Sequence, residues 1–491
     1  MAIREEYIPR EDYEIGALIG RELRNRMVHM AAPAKGLYAM VTFGIFGIMM
    51  KCFSVIDEPP LEVPEILRLV VINKWIGDEM PLAQLESFLH ELEKENRSIG
   101  WHGSIYRELI ECGIREEREI LRVVFDALSG MEVGSGERCV NVYIATAIQF
   151  ILSIGQYTGT GLSSVAVMPI EVMQLVNRLA NVKDEHICYG ATNDSVVLLP
   201  FLAPEKNNTT IFSYDRSNYA AAIVMLQIMS QHNGTNKFMS FSHPFVPDDS
   251  SEIIGKCHRA FAFSPLHRQL LPDVSEFIFS DKLHECIAWW PEYPNSNQWL
   301  YARHIVASLN EQGIGYVFMP LGMLSRTGNE MEIRRRLIES NLIDTVIEFP
   351  GGTFMKSNTS VALVIFKKGR ETKDVYMINL AGKEGKRYIT IDTRFRSVSF
   401  KGISEIVRMV HDCTIIEGLS NVVTGEEITE NAYSFSPSAY TIKKTEINVE
   451  RLDGLMQEME ILQSEYVKVS DNYDSAISRF QEMTKSWDND R

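Results

Sequence analysis

Between about residues 165 and 380 short apolar runs alternate with amphipathic segments, and this alternation limits the chain to a small set of folds. HICYG, TIFSYD, KFMSFS, GYVFMP, LIDTVIEFP, SVALVIFKK and DVYMINL each have the length and apolar content of a buried strand. Helix-like segments stand between several of them: MPIEVMQLVNRLA, SNYAAAIVMLQIMSQH, QWLYARHIVASLNEQ and EMEIRRRLIESN. Strands alternating with helices predict an α/β fold, a doubly wound and mostly parallel sheet. The last two strands are joined only by GRETK, too short for a helical crossover, which predicts an antiparallel hairpin.

The flanking regions have a different character. Residues 1 to about 160 read mainly as helix, because PLAQLESFLHELEKEN and IREEREILRVVFDAL carry apolar residues at three- and four-residue spacing. SGMEVGSGER interrupts this region and GQYTGTGLSS (155–164) closes it, so a boundary is predicted near residue 160. Leu37 to Met50 is uncharged and, with CFSVI beyond it, approaches membrane-spanning length. Lys51, Gly44 and Gly47 interrupt it, and RELRNRMVHMAAPAK before it is no signal peptide, so a buried core helix is expected. In the tail, Leu455, Met459, Leu462, Tyr466, Val469, Tyr473, Ala476, Phe480, Met483 and Trp487 follow an unbroken 4–3 alternation. They form one stripe of a helix over about 450–488, either a coiled-coil seam facing a partner or a face folded back on the chain. Three domains follow: 1–160 helical, 161–445 α/β, and 446–491 a C-terminal helix.

Charge and cysteine usage narrow the function. A formal net charge of −16 repels a DNA backbone over most of the surface, so work on DNA would confine basic groups to one cleft or borrow a partner's grip. The 7 cysteines show no CxxC or metal-like spacing, and the 11 histidines are scattered, which points to free thiols in a reducing cytoplasm and to no metal site. Arg334, Arg335 and Arg336 form the densest basic cluster, read as a solvated helix face or as a phosphate contact.

Over most of its length the chain resembles the methylation subunit of type I DNA restriction–modification enzymes. Residues 295–368 carry the resemblance best: a helix ending in L-x-x-x-G, a strand into MPLGML, the helix with IRRRLIESN, a strand ending in FPGGTF, and a last apolar strand. KGLYAMVTFGIFGIMMKCFSVID resembles that family's N-terminal helical domain, and ENAYSFSPSAY (430–440) the segment after its catalytic domain. The resemblance implies a class I methyltransferase-like sheet, S-adenosylmethionine as cofactor, and adenine-N6 methylation of double-stranded DNA inside a complex. It also implies a specificity-type subunit docked on the C-terminal helix, with a second copy of the chain as a further partner.

The site residues follow from the same resemblance. ICYGATNDSVVL (187–198) stands where the family has a turn like ILDPACGSGGFL, so Tyr189 replaces the acidic residue and Asn193, Ser195 and Val196 replace three glycines, while Gly190 lies just before the turn. Met168 and Pro169 occupy the place of a cofactor-contacting Thr-Pro, and Asp215 that of the ribose-binding acid. Ser242, His243, Pro244 and Phe245 stand for the tetrapeptide whose polar groups accept hydrogen bonds from the flipped base's amine and whose aromatic ring stacks on it. Two readings stay open. One is a working or weakly active methyltransferase subunit; the other is a catalytically dead scaffold in a restriction or phage-defence complex.

Overall fold

The computed structural model describes residues 10–27, 44–52, 117–129, 137–157, 169–183, 185–191, 210–214, 237–241, 253–263, 297–354, 357–391 and 396–441, with 457–466, 468–470, 473 and 477 of the tail. The chain divides into two compact units, Met1–Thr441 and Ile442–Arg491.

Eleven strands are described in the first unit: β1 Ile187–Ala191, β2 Thr210–Tyr214, β3 Lys237–Phe241, β4 Cys257–Phe263, β5 Leu309–Pro320, β6 Ile343–Phe349, β7 Val361–Lys367, β8 Val375–Asn379, β9 Ile389–Ile391, β10 Arg396–Val398 and β11 Ser420–Val423. Nine of them form one sheet in the order β11-β8-β6-β7-β5-β4-β1-β2-β3, while β9 and β10 pair as a separate antiparallel ribbon. All pairs from β5 through β4, β1 and β2 to β3 are parallel, as is β6 with β8. Strand β7 runs antiparallel between β5 and β6, and β11 runs antiparallel along β8. The seven apolar runs are therefore strands, and the sheet is mostly parallel and doubly wound.

Helices cover both faces. Alternate residues of a strand point to opposite faces. Ala260, Val317 and Val346 therefore share one face, in a buried cluster with Trp299 and Ile305 of helix Asn297–Ser308 and with Ile333 and Leu337 of helix Asn329–Glu339. On the other face Tyr316 Oη donates to the Leu179 carbonyl at 2.9 Å, at the end of helix Ile170–Ala180. Helix Phe400–Asp412 lies beside that one, tied to it by Arg178 and Ser404.

The remaining helices precede the sheet. We number all of them in chain order: α1 Arg10–Met27, α2 Glu117–Ser129, α3 Glu137–Tyr157, α4 Ile170–Ala180, α5 Asn297–Ser308, α6 Asn329–Glu339, α7 Phe400–Asp412, α8 Gly425–Glu430 and α9 Ser438–Thr441. The apolar run is helical over 44–52, with Ile45, Phe46, Ile48, Met49 and Met50 all buried, as expected of a core helix. Among the described residues no helix is long and apolar enough to cross a membrane. Helices α1 and α3 pack closely along Gly16 and Gly20, and the nearly buried Asp12 of α1 accepts from Arg138 at 3.1 Å and Asn141 at 3.4 Å. PLAQLESFLHELEKEN and SNYAAAIVMLQIMSQH lie outside the described residues.

Three expectations need correction. First, β7 and β8 form no hairpin. Both edges of β7 are taken by β5 and β6, and the GRETK linker carries the chain past the start of β6 to pair β8 in parallel on its far side. Arg370 holds that crossing: its guanidinium meets Asp344 at 3.2 Å and the carbonyls of Ile343 and Asp374. Second, β4 has no counterpart among the predicted strands, although it lies in the middle of the sheet between β1 and β5. CHRAFAF is short and pairs two alanines with a His-Arg, a composition with weak strand preference. Ala260 and Ala262 are nevertheless fully buried against the α5 side. Third, Arg334 is neither solvated nor free for phosphate. It is 0% exposed, and its guanidinium donates to the carbonyls of Tyr433 (2.6 Å), Met323 (3.0 Å) and Arg326 (2.5 Å). Its neighbours Arg335 and Arg336 do lie on the helix surface, paired with Glu332 and Glu339.

The ENAYSFSPSAY segment is an integral strap of the first unit. Phe435 N donates to the Leu324 carbonyl at 2.8 Å, Ser438 N to Glu348 on β6 at 3.1 Å, and Asn379 at the end of β8 to Thr441 at 3.2 Å. Burial pushes the Glu348 carboxyl above its ordinary range, against the pull of its bond from Ser438.

In the second unit, residues 457–466 and 468–470 are helical. Met459, Leu462, Tyr466, Val469 and Tyr473 of the stripe are 60–74% exposed.

Candidate functional site at the switch point of the sheet

In a doubly wound sheet, ligands bind outside the carboxyl ends of the strands where the strand order reverses. Here the reversal falls between β1 and β4, since the chain adds β2 and β3 on one side of β1 and β4 and β5 on the other. The carboxyl ends of these two strands are Ala191 and Phe263.

Tyr189 and Gly190 both lie on β1, whose residues pair with Phe212 and Ser213 of β2 and with Ala260 and Phe261 of β4. Tyr189 is 0% exposed, and its hydroxyl lies 2.8 Å from Nε2 of His304, itself buried on α5. The two rings also meet edge to face, with centroids 5.3 Å apart. The phenol therefore points into the core, where a polar tip needs a partner. His304 is that partner; sequence reasoning missed it, and a histidine amid the apolar residues of α5 was the signal for it.

Pro169 is the N-cap of α4, and its carbonyl accepts from Val172 and Met173, both at 3.1 Å. It is buried, and its role visible in the fold is to start the helix that supports the sheet. At the same end of α4, Glu171 accepts from Ser397 of β10 at 2.9 Å. Burial raises its carboxyl above the ordinary range, opposed by a backbone bond and by the serine. Asn193, Asp215 and the whole tetrapeptide Ser242, His243, Pro244 and Phe245 lie outside the described residues. The strand β2, ending at Tyr214, lies next to β1, and β3, ending at Phe241, is the edge strand of the described sheet. The edge strand stands about 10 Å from β1 at the usual strand spacing. It is β4, not β3, that bounds the switch point.

Beyond β4 the carboxyl edge is closed by phenylalanines. Phe263, Phe318, Phe349 and Phe354 pack with centroids 5.2–6.3 Å apart, one each from the ends of β4, β5 and β6 and one from the FPGGTF turn. In that turn Gly352 has φ +81, a conformation that favours glycine, and Thr353 caps Pro350 through both its amide and hydroxyl. The apolar plug makes one wall of the crevice rigid and dry.

Of the residues expected to hold S-adenosylmethionine, Pro169, Tyr189 and Gly190 are described, while Asn193 and Asp215 lie outside the described residues. Neither β1 nor the carboxyl end of β4 offers a carboxylate, and Gly190 is an ordinary strand glycine without positive φ. Among the described residues there is also no group of three or more side chains that could hold a metal ion.

A sheet with this order, one antiparallel strand wedged between β5 and β6, and helices on both faces is that of a class I methyltransferase. Residues 278–448 match the N-6 DNA methylase family. It is 25% identical over 171 residues to the MpnII type I restriction enzyme methylase subunit of Mycoplasma pneumoniae, covering 34% of this chain and 31% of that one. It is 21% identical over 312 residues to the MjaVIII methylase subunit of Methanocaldococcus jannaschii, covering 61% and 53%. These two matches thus span about a third and about half of the relatives' own length. The fold is similar to that of a type I restriction–modification methyltransferase subunit from Streptococcus thermophilus, with a TM-score of 0.65 at 16% identity over 88% of this chain and 99% of the other.

Proposed function

We propose that this chain is the methylase-subunit-like component of a type I restriction–modification or related defence complex on double-stranded DNA, and that it serves there as a scaffold with little or no methyl transfer. The methylase architecture supports the first part. The observation that supports the second is the Tyr189–His304 pair: in our reading Tyr189 stands where the family has its acidic group, and its hydroxyl is committed to the core. Transfer to an adenine amine depends mostly on holding the sulfonium methyl in line, so a poorly built cofactor turn removes the main source of rate.

Calorimetry on the full chain with S-adenosylmethionine tests this directly. No heat of binding is expected, and a micromolar dissociation constant would overturn the scaffold reading. In that event Asp215→Ala should abolish the binding, and the chain would be a working adenine-N6 methyltransferase.

The partner surface in this reading is the tail. Its apolar stripe, exposed at Met459, Leu462, Tyr466, Val469 and Tyr473, suits a coiled-coil seam with a specificity-type subunit. Deleting residues 450–491 should prevent co-purification with such a subunit while leaving the remaining unit folded. Continued co-purification would refute the assignment.

A further inference from the structure

Several cations in the described part of this acidic chain are held in ion pairs. Arg26 pairs with Glu22, Arg138 with Asp12, Arg335 and Arg336 with Glu332, and Arg370 with Asp344. Lys183, Lys256, Lys373 and Arg408 are exposed without a described ion pair at scattered places, whereas Lys383, Lys386, Arg387 and Lys401 fall on two elements that pack against each other. These last four are all exposed, and among the described residues none of them has an acidic partner within ion-pair distance. Arg387 instead lies over the ring of Tyr388, 4.8 Å from its centroid.

The fold gathers these four deliberately. Strand β8 ends at the buried Asn379, whose Oδ1 accepts from Gly382 N at 2.9 Å and starts a tight turn. The 3-10 turn Glu384–Tyr388 follows, wound so closely that a Cβ on the buried Gly385 would fall 2.3 Å from the Leu380 carbonyl. Helix α7 then begins against the same turn: Ser399 N donates to the Tyr388 carbonyl at 2.7 Å, and a Cβ on Gly402 would lie 2.9 Å from it. Lys401 lies between these two contacts, in the first turn of α7. The acid of this turn, Glu384, lies towards Gly418, 3.1 Å from a Cβ built there.

Position completes the case. β8 is parallel to β6, and through the antiparallel β7 to β5 and β4, so its carboxyl end shares one sheet edge with the switch-point crevice. Four strand steps separate β8 from β4, about 19 Å at usual strand spacing. That is roughly six base pairs of a duplex carrying one charge per ~1.7 Å of axis.

We propose that Lys383, Lys386, Arg387 and Lys401 form a phosphate-binding patch that grips the backbone of a DNA duplex lying along the carboxyl edge of the sheet. Exposed, unpaired cations make sequence-independent contacts of this kind, gaining from counterion release rather than base readout. This inference rests on the DNA part of the function proposed above, not on its view of the cofactor.

The test is binding of the full chain to two unrelated duplexes, followed by fluorescence anisotropy across a salt series. The unmodified chain should bind both at low salt. The variant Lys383→Gln/Lys386→Gln/Arg387→Gln/Lys401→Gln should weaken both equally, and its slope of log affinity against log salt should be shallower by about 3–4, near 0.9 for each lost contact. Lys386→Gln alone should lower the slope by about 1. Arg335→Gln/Arg336→Gln, on the paired surface of α6, should leave it unchanged. An unchanged slope in the quadruple variant overturns the patch while DNA binding itself stands. Weakening of one duplex only would mean base readout and also overturns it. Loss of polyglutamate binding with DNA binding intact would assign the surface to an acidic protein instead. If the unmodified chain binds neither duplex, the DNA reading fails together with the patch.

Discussion

Arg334→Ala should destabilise the first unit by about 3–5 kcal/mol, because it removes a buried charge-assisted donor from three carbonyls at once. The three acceptors belong to different pieces of chain: Met323 and Arg326 to the turn after β5, and Tyr433 to the strap. The side chain itself sits on α6, so one guanidinium joins three segments. Ala432 and Tyr433 both have positive φ, at 52 and 54, and the arginine's bond to the Tyr433 carbonyl holds that left-handed corner in place. Burial pulls the guanidinium down to about 10, partly opposed by Glu330, so the donor stays charged at neutral pH. Its two neighbours make the control. Their bonds hold the Glu332 carboxyl down at about 2, yet all three side chains are half-exposed, so Arg335→Ala and Arg336→Ala should each lose far less than Arg334→Ala. Urea unfolding of the three variants measures this. A loss at Arg334 no larger than at its neighbours would remove the clamp from the account.

Gly16→Val should have a comparable effect in the helical region. A Cβ at Gly16 would lie 2.5 Å from the Ala145 Cβ and 2.6 Å from the Val142 carbonyl, and one at Gly20 would lie 2.7 Å from the Thr146 carbonyl. Most of these neighbours are the backbone of α3, which cannot rotate away like a side chain. The helices must separate, which also exposes Ala17, Ile19 and Leu23 of α1 and pulls Asp12 from Arg138. Overpacking of this kind destabilises by about 3 kcal/mol, at the upper end of the usual range. Leu18→Ser, on the exposed side of α1 at 65% exposure, should be close to neutral. Calorimetric melting of both variants is the check, and an unchanged melting temperature for Gly16→Val would show that the helices are not in contact there.

The parts of the fold that could be read from residues alone are those with strong local periodicity. Seven strands, helices α2, α4, α5 and α6, and the buried helix at 44–52 all show in the spacing of apolar residues, because burial of one face imposes a period of two or 3.6. Even there boundaries shift. α5 stops at Ser308 rather than running on through LNEQ, because Leu309 already pairs with Cys257 of β4 and the chain bulges before Ile314 pairs with Arg259. The candidate site was legible as a location and in one substitution, Tyr189. What the tyrosine does there was not legible, since its partner His304 is 115 residues away.

Long-range pairing accounts for the rest. A run of apolar residues is a strand in any register, so nothing local in SVALVIFKK and DVYMINL tells whether they pair with one another or flank β6; the occupied edges of β7 settle it. Nothing local marks Arg334 as buried beside two exposed arginines, because a helix places successive residues about 100° apart and only the strap decides which of them is covered. The four free cations of the carboxyl edge come from two elements, one in the turn after β8 and one at the start of α7, and they meet only because that helix packs on that turn. The sequence by itself determined the class of fold and the buried apolar stretches, which depend on residue type and spacing. Tertiary structure alone decided strand order, the burial of Arg334, the pairing of Tyr189 and the gathering of positive charge, because each depends on contacts between residues far apart in the chain.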